Sequence, residues 1–394
     1  MDKLLLMTMS IPVLSEAALV RPAPEDRRTE PTTDVAPKCL DDAFLGSVRR
    51  HYHQIICTFV PVTTLANMIS SLISPAGILL GQGFPFLSIL CVIIGLVGVA
   101  WGADRFTDGA GALARRMGVP QIVIGLTIVG FGTSAPELFV SLTSALRGQA
   151  GMALGNIVGS NIFNVLFIVG ISAAITPIAV ARSTVSKDIP WAVGASVLLL
   201  LLCLDGKLSR IDAAVLLAGM AAFFVYTLRM ARHGKAETED KEARPMSMLL
   251  CVVWIIVGLA CLVVGSQIFV SGASDIARQL GVSDAVIGLT IVAGGTSLPE
   301  LATSVVSARK GQSALAIGNV IGSNVFNILM ILGITGAIQP LRTAGITMVD
   351  FGMMIVSILL MWQMSYSRFR VSRGEGCLLV VLFAAYMTWL VVHA

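Results

Sequence analysis

The chain has 394 residues, of which 56% are hydrophobic and 13% charged, with a mean hydropathy of +0.86 and a formal charge of +4. A soluble domain is excluded, because it needs roughly twice that charge to cover its surface. The basic residues sit in short loops between apolar runs rather than in one patch, so no nucleic-acid partner is expected. Residues 1–50 are polar, with Pro22, Pro24, Pro31 and Pro37 among charged residues, and read as a disordered tail. His51–Ala103 has no Asp, Glu, Lys or Arg and is too long for one span; Pro75, Gly77 and Gly81 divide it. Its first part, Gln54–Leu80, admits three readings: an extra span, a signal anchor, or upstream sequence read from an early start codon.

From about Phe84 onward, apolar runs near the 20 residues needed to cross a bilayer recur. They parse into ten spans at about 84–103, 119–146, 152–178, 188–204, 209–231, 248–268, 283–308, 314–338, 347–365 and 374–392. The expected divisions are an extension 1–83, a first five-helix repeat 84–231, a cytoplasmic linker 232–247 and a second repeat 248–394. The seven cysteines are scattered without metal spacing and read as small hydrophobes.

The halves are copies. Gly102–Ile178 aligns without gaps on Gly265–Leu341, with about 41 of 77 positions identical. Ile124–Leu138 reads IGLTIVGFGTSAPEL and Ile287–Leu301 reads IGLTIVAGGTSLPEL. Gly155–Asn164 reads GNIVGSNIFN and Gly318–Asn327 reads GNVIGSNVFN. An odd number of spans per repeat makes the second half enter the membrane from the opposite side. The expected fold is therefore an all-α polytopic membrane protein, a ten-helix core of two inverted five-helix repeats. Loop charge orients it: about fifteen Lys and Arg fall in loops of one face and about five in the other, which puts both ends of the core outside.

Each repeat carries one carboxylate inside a span. Glu137 is the only acidic residue between Asp108 and Asp188, and Glu300 the only one between Asp284 and Asp350. A mid-span carboxylate costs on the order of 3 kcal/mol, so it needs a partner or a task. Arg147, Arg309 and Lys310 lie at the far helix ends, so no cation of the chain is expected at the same depth. Pro136 and Pro299 remove a backbone donor, so the helices should break there and free carbonyls near Gly130 and Ala293. Thr133, Ser134, Thr296 and Ser297 add hydroxyls. On the next helix Asn156, Ser160 and Asn164 form a stripe at i, i+4, i+8, repeated by Asn319, Ser323 and Asn327. Gly155 with Gly159, and Gly318 with Gly322, should let this helix approach the broken one. A set of carboxylate, hydroxyl, amide and carbonyl oxygens suits a hard cation such as Ca²⁺, and two carboxylates neutralise one divalent charge.

These motifs resemble the alpha-repeats of the cation/calcium exchanger superfamily, in particular its prokaryotic sodium/calcium antiporter branch. The resemblance covers the core from about Phe84 and implies exchange of Ca²⁺ for Na⁺ in the cell (inner) membrane, with no cofactor and no enzymatic activity. It implies ion ligands at Thr133, Ser134, Glu137, Ser160 and Asn164, and at Thr296, Ser297, Glu300, Ser323 and Asn327. It also implies alternating access by sliding of the first and sixth core helices. Some relatives carry Asp where Asn327 stands, and its absence argues against K⁺ co-transport. Three other readings compete. Gly132-Thr133-Ser134-Ala135 formally fits a serine-protease run, but no His or Lys lies at its depth. A channel is disfavoured by two fused inverted halves. A proton-coupled exchanger of the same fold stays open, as does the oligomeric state.

Overall fold

The computed structural model describes residues 85–233, 246–281, 291, 293–343 and 345–393. The extension 1–83, most of the linker and the start of the seventh expected span lie outside the described residues. Eight helices are long and apolar enough to cross a membrane, and one bent pair makes a ninth such span, among the described residues.

In the first half, α1 (Pro85–Met117) is followed by α2 (Gln121–Thr133) and α3 (Ala135–Leu146), which meet at a bend of 44°. Next come α4 (Ala150–Ile175), α5 (Thr184–Leu202) and α6 (Arg210–His233). The second half repeats the order as α7 (Met248–Gln279), α8 (Ala293–Thr296), α9 (Leu298–Arg309), α10 (Ser313–Ile338), α11 (Met348–Arg368) and α12 (Arg373–His393). The two first helices outrun their expected spans of 84–103 and 248–268, with lengths of 33 and 32 residues. The apolar window of α1 ends near Ala103, but the helix does not, because Asp104, Arg105 and Asp108 find partners. Lys310 lies 2.7 Å from a carboxylate oxygen of each Asp, and Arg105 stacks over Trp101 and Trp254 at 5.9 and 5.2 Å.

α1 and α7 form the most extensive helix pair, antiparallel and glycine-lined. Gly95, Gly102 and Gly109 recur every seven residues, two turns apart on one face, and Gly258, Gly265 and Gly272 are their counterparts. A Cβ on Gly95 would lie 2.5 Å from the Phe269 nitrogen, and one on Gly258 would lie 2.6 Å from the Phe106 nitrogen. With lipid as solvent, this backbone contact supplies the packing attraction that apolar burial supplies in water.

Inversion of the halves is visible in four short strands: β1 (Ile178–Ala179), β2 (Lys207–Leu208), β3 (Leu341–Arg342) and β4 (Arg370–Val371). β1 pairs with β4 and β2 with β3, both antiparallel. α5 alone separates β1 from β2, and its 19 residues span about 28 Å, so the two sheets lie at opposite ends of one span. β1 and β3 occupy equivalent places in the two repeats, yet sit at opposite ends, as inverted repeats require. The outer helices are tied in matching fashion: Tyr226 of α6 donates to Asp188 of α5, and Tyr386 of α12 donates to Asp350 of α11.

This arrangement predicts opposite labelling of the two sheets. In a cysteine-free background, Arg370→Cys should react with an impermeant maleimide from the cytoplasmic face only, and Lys207→Cys from the external face only. Reaction of both from one face would overturn the inverted arrangement.

Candidate functional site

The break between α2 and α3 falls at Ser134, and that between α8 and α9 at Ser297. Both residues leave helical geometry in the same way (φ −83°, ψ 8° and φ −92°, ψ 9°). Pro136 and Pro299 each sit within the first two positions of the new helix, where a missing N–H costs nothing. The turn thus carries Glu137 and Glu300 into the first turn of α3 and α9. Both are buried, 1% and 0% exposed.

Each carboxylate is held by the other half. Ser297 donates to Glu137 Oε1 at 2.9 Å, and Ser134 donates to Glu300 Oε1 at 3.0 Å. Ser160 Oγ lies 3.4 Å from Ser297 Oγ. Thr133 Oγ1 is placed to donate to the Val129 carbonyl at 3.0 Å or to Asn319 Oδ1 at 3.1 Å, with Ser323 Oγ 3.5 Å away. Thr296 ends α8, directly before the Ser297 turn. Hydroxyls that spend their hydrogen in this way keep lone pairs free for a cation.

The amides cross the pseudo-two-fold as well. Asn164 donates through Nδ2 to Asn324 Oδ1 at 3.0 Å, and Asn327 donates to Asn161 Oδ1 at 3.3 Å. Asn161 and Asn324 do not figure among the expected site residues. The signal for them was present, since a mid-span Asn recurs at both positions of the repeat. Asn156 and Asn319, by contrast, spend their donors on their own half. They donate to Ser141 at 2.9 Å and Ser304 at 2.8 Å, and also reach the backbone carbonyls of Glu137 and Glu300.

Among the expected site residues, four buried side-chain oxygens are left without a hydrogen-bond partner: Glu137 Oε2, Glu300 Oε2, Asn164 Oδ1 and Asn327 Oδ1. They form two pairs related by the repeat, and neither Glu has a cationic partner among the described residues. Buried acceptors normally find partners, so four orphans on two carboxylates and two amides are oxygens still in need of a donor or a cation.

Two expectations need adjusting. The Gly130 carbonyl is not free, because the Ser134 amide and the Ser323 hydroxyl both donate to it, each at 3.3 Å. The turn at Ser134 is tight enough to close its own hydrogen bond. Ala293 opens α8, directly after a residue outside the described ones. Gly318 and Gly322 do admit a close neighbour, but it is the broken helix of the other half: a Cβ on Gly322 would lie 2.9 Å from Leu126 of α2.

A family model described as "Sodium/calcium exchanger protein" matches twice, over residues 87–229 and 250–392. The putative antiporter CaxA of Alkalimonas amylolytica is 39% identical, over 76% of this chain and 97% of that protein. The sodium/calcium exchanger MaX1 of Methanosarcina acetivorans is 30% identical, over 76% of this chain and 97% of its own. Among solved structures, the sodium-calcium exchanger NCX_Mj soaked with 10 mM Na⁺ superposes with a TM-score of 0.69 at 31% identity. That match covers 77% of this chain and 99% of the other.

Proposed function

Because the chain belongs to the sodium/calcium exchanger protein family and is therefore a membrane cation exchanger, we propose that it trades Ca²⁺ for Na⁺ at one central site reached alternately from each face. The observation that supports this most directly is the set of four unpartnered oxygens on Glu137, Glu300, Asn164 and Asn327. Two carboxylates balance one Ca²⁺, and Asn164 and Asn327 add neutral acceptors. The hydroxyls of Thr133, Ser134, Ser160, Thr296, Ser297 and Ser323 raise the count toward the 6–8 oxygens Ca²⁺ takes. Na⁺ is another hard, oxygen-seeking ion, so the same carboxylates serve it at lower charge per ion. The relative MaX1 carries the name of a sodium/calcium exchanger, which favours Na⁺ over protons as the driving ion. Uptake of ⁴⁵Ca²⁺ into proteoliposomes tests this: vesicles loaded with Na⁺ should take up Ca²⁺, and vesicles with only a pH gradient should not. Uptake driven by the pH gradient alone would make the protein a proton-coupled exchanger.

Asn324 acts through Asn164. It accepts the Nδ2 hydrogens and so leaves Asn164 Oδ1 as the open acceptor. Partners of this kind are typically worth about 10–100-fold in ion affinity. Asn324→Leu should raise the Ca²⁺ concentration for half-maximal exchange by about that factor while the maximal rate falls less. An unchanged half-saturation would show that Asn324 does not set the amide.

A further inference from the structure

Outside the site, six buried hydroxyls have no hydrogen-bond partner among the described residues, and three of them share one seam: Thr303 and Ser307 of α9 and Ser172 of α4, all 0% exposed. Helical Ser and Thr ordinarily donate back to the carbonyl one turn earlier, as Ser196 does to Ala192 at 2.8 Å and Thr227 to Phe223 at 2.7 Å. Leaving a hydroxyl unpaired in a dry seam is unfavourable, so three together call for a reason.

Their placement supplies one. Thr303 and Ser307 follow Glu300 by three and seven residues, on the same face of α9. α9 packs on the Gly170–Ile175 stretch of α4, and both helices run away from the site in the same direction. Ser307 lies seven residues beyond Glu300 and Ser172 eight beyond Asn164, so each is about 10–12 Å past the site. Lys310 ends this face, seven residues after Thr303. Its ammonium bonds Asp104 and Asp108 at 2.7 Å each and the Asp104 carbonyl at 2.8 Å, which pins α1 to the end of α9.

The symmetry-related seam keeps only part of this construction. Its equivalents are Val140, Ser144, Thr335 and Arg147, of which Thr335 alone is again a buried hydroxyl without a partner, and Gln267 and Ser271 stand where α1 has Asp104 and Asp108. Ser144 keeps 6% of its surface, whereas Thr303 and Ser307 keep none. One end of the molecule is therefore clamped, and its counterpart has no such clamp among the described residues.

We infer that the seam between α4 and α9 is the closed ion passage between the site and the face that carries Lys310. In the opposite-facing state, water and the passing cation satisfy Thr303, Ser307 and Ser172. The Lys310–Asp104–Asp108 cluster is the latch that keeps the seam shut in the state seen here. This inference rests on the exchange reading, and the experiment separates the two.

Single cysteines replace Ser307 or Ser172 in a cysteine-free protein whose ⁴⁵Ca²⁺ exchange has first been shown in vesicles. Impermeant methanethiosulfonate is then added to one face at a time during exchange. Labelling is expected only from the face of Lys310, and several-fold faster when Lys310→Met is added. Leu199→Cys, in the apolar core, should stay unlabelled. Thr303→Val, which copies Val140, should slow exchange several-fold with unchanged half-saturation by Ca²⁺. Labelling from the opposite face, or none from either while exchange continues, would overturn the passage and leave the exchange reading intact. A full rate in Thr303→Val would also count against it. Failure of the cysteine-containing wild type to exchange Ca²⁺ would instead sink the exchange reading.

Discussion

Glu137→Gln and Glu300→Gln should each lower Ca²⁺ affinity by at least about 100-fold and abolish measurable exchange, in protein that still folds and inserts. Gln has the shape of Glu and keeps an acceptor for the hydroxyl of Ser297 or Ser134, so the bonds across the pseudo-two-fold survive. What disappears is half of the negative charge. A divalent ion would then face one carboxylate in a site with no other anion, and breaking a buried charge pair costs about 3–5 kcal/mol. At 1.4 kcal/mol per tenfold, that is a factor of more than 100. The check is ⁴⁵Ca²⁺ exchange together with the elution profile of each purified variant. A variant that is monodisperse at normal yield and still exchanges at the wild-type rate would remove the paired carboxylates from the mechanism.

Gly258→Val should cost more than function: the folded protein itself should be lost. A Cβ there would meet the Phe106 nitrogen at 2.6 Å and the Gly102 carbonyl oxygen at 2.8 Å, both backbone atoms of α1. Backbone cannot turn aside as a side chain can, so α1 and α7 must separate along their whole contact. Overpacking of this kind costs about 3 kcal/mol or more. Gly352→Ala is the control. A Cβ at Gly352 would meet nothing within 4 Å, and Ala favours helix over Gly by about 1 kcal/mol. Thermal melting followed by size-exclusion fluorescence should show little folded Gly258→Val and a normal or raised midpoint for Gly352→Ala. A normal midpoint for Gly258→Val would refute the close approach of the two helices.

The substitution at Gly258 also shows what a pattern of residues conveys and what it omits. The seven-residue recurrence of glycine on α1 and α7 is plain in the sequence, but it does not say which helix the glycines meet. Gly318 and Gly322 were expected to serve the broken helix, and they do, but that of the other half. The same limit applied to Asn161 and Asn324. Their recurrence in both repeats was legible, while their task of holding an amide across the two-fold was not, because periodicity reports a face and not its neighbour.

Hydropathy, the 41 identities between halves and one carboxylate per repeat were enough to determine a membrane protein of two inverted repeats with two paired acids. These follow from local rules: bilayer thickness sets span length, an odd span count sets inversion, and desolvation makes a mid-span Glu conspicuous. Tertiary structure alone decided where α1 ends, since Lys310, more than two hundred residues away, neutralises Asp104 and Asp108 and lets the helix run on. It alone decided that each carboxylate is held by a serine of the opposite half and that the Gly130 carbonyl is already occupied. It alone exposed the unpaired hydroxyls of the α4–α9 seam. Whether a polar atom is satisfied depends on distances between segments far apart in the chain, and no spacing along one segment encodes them.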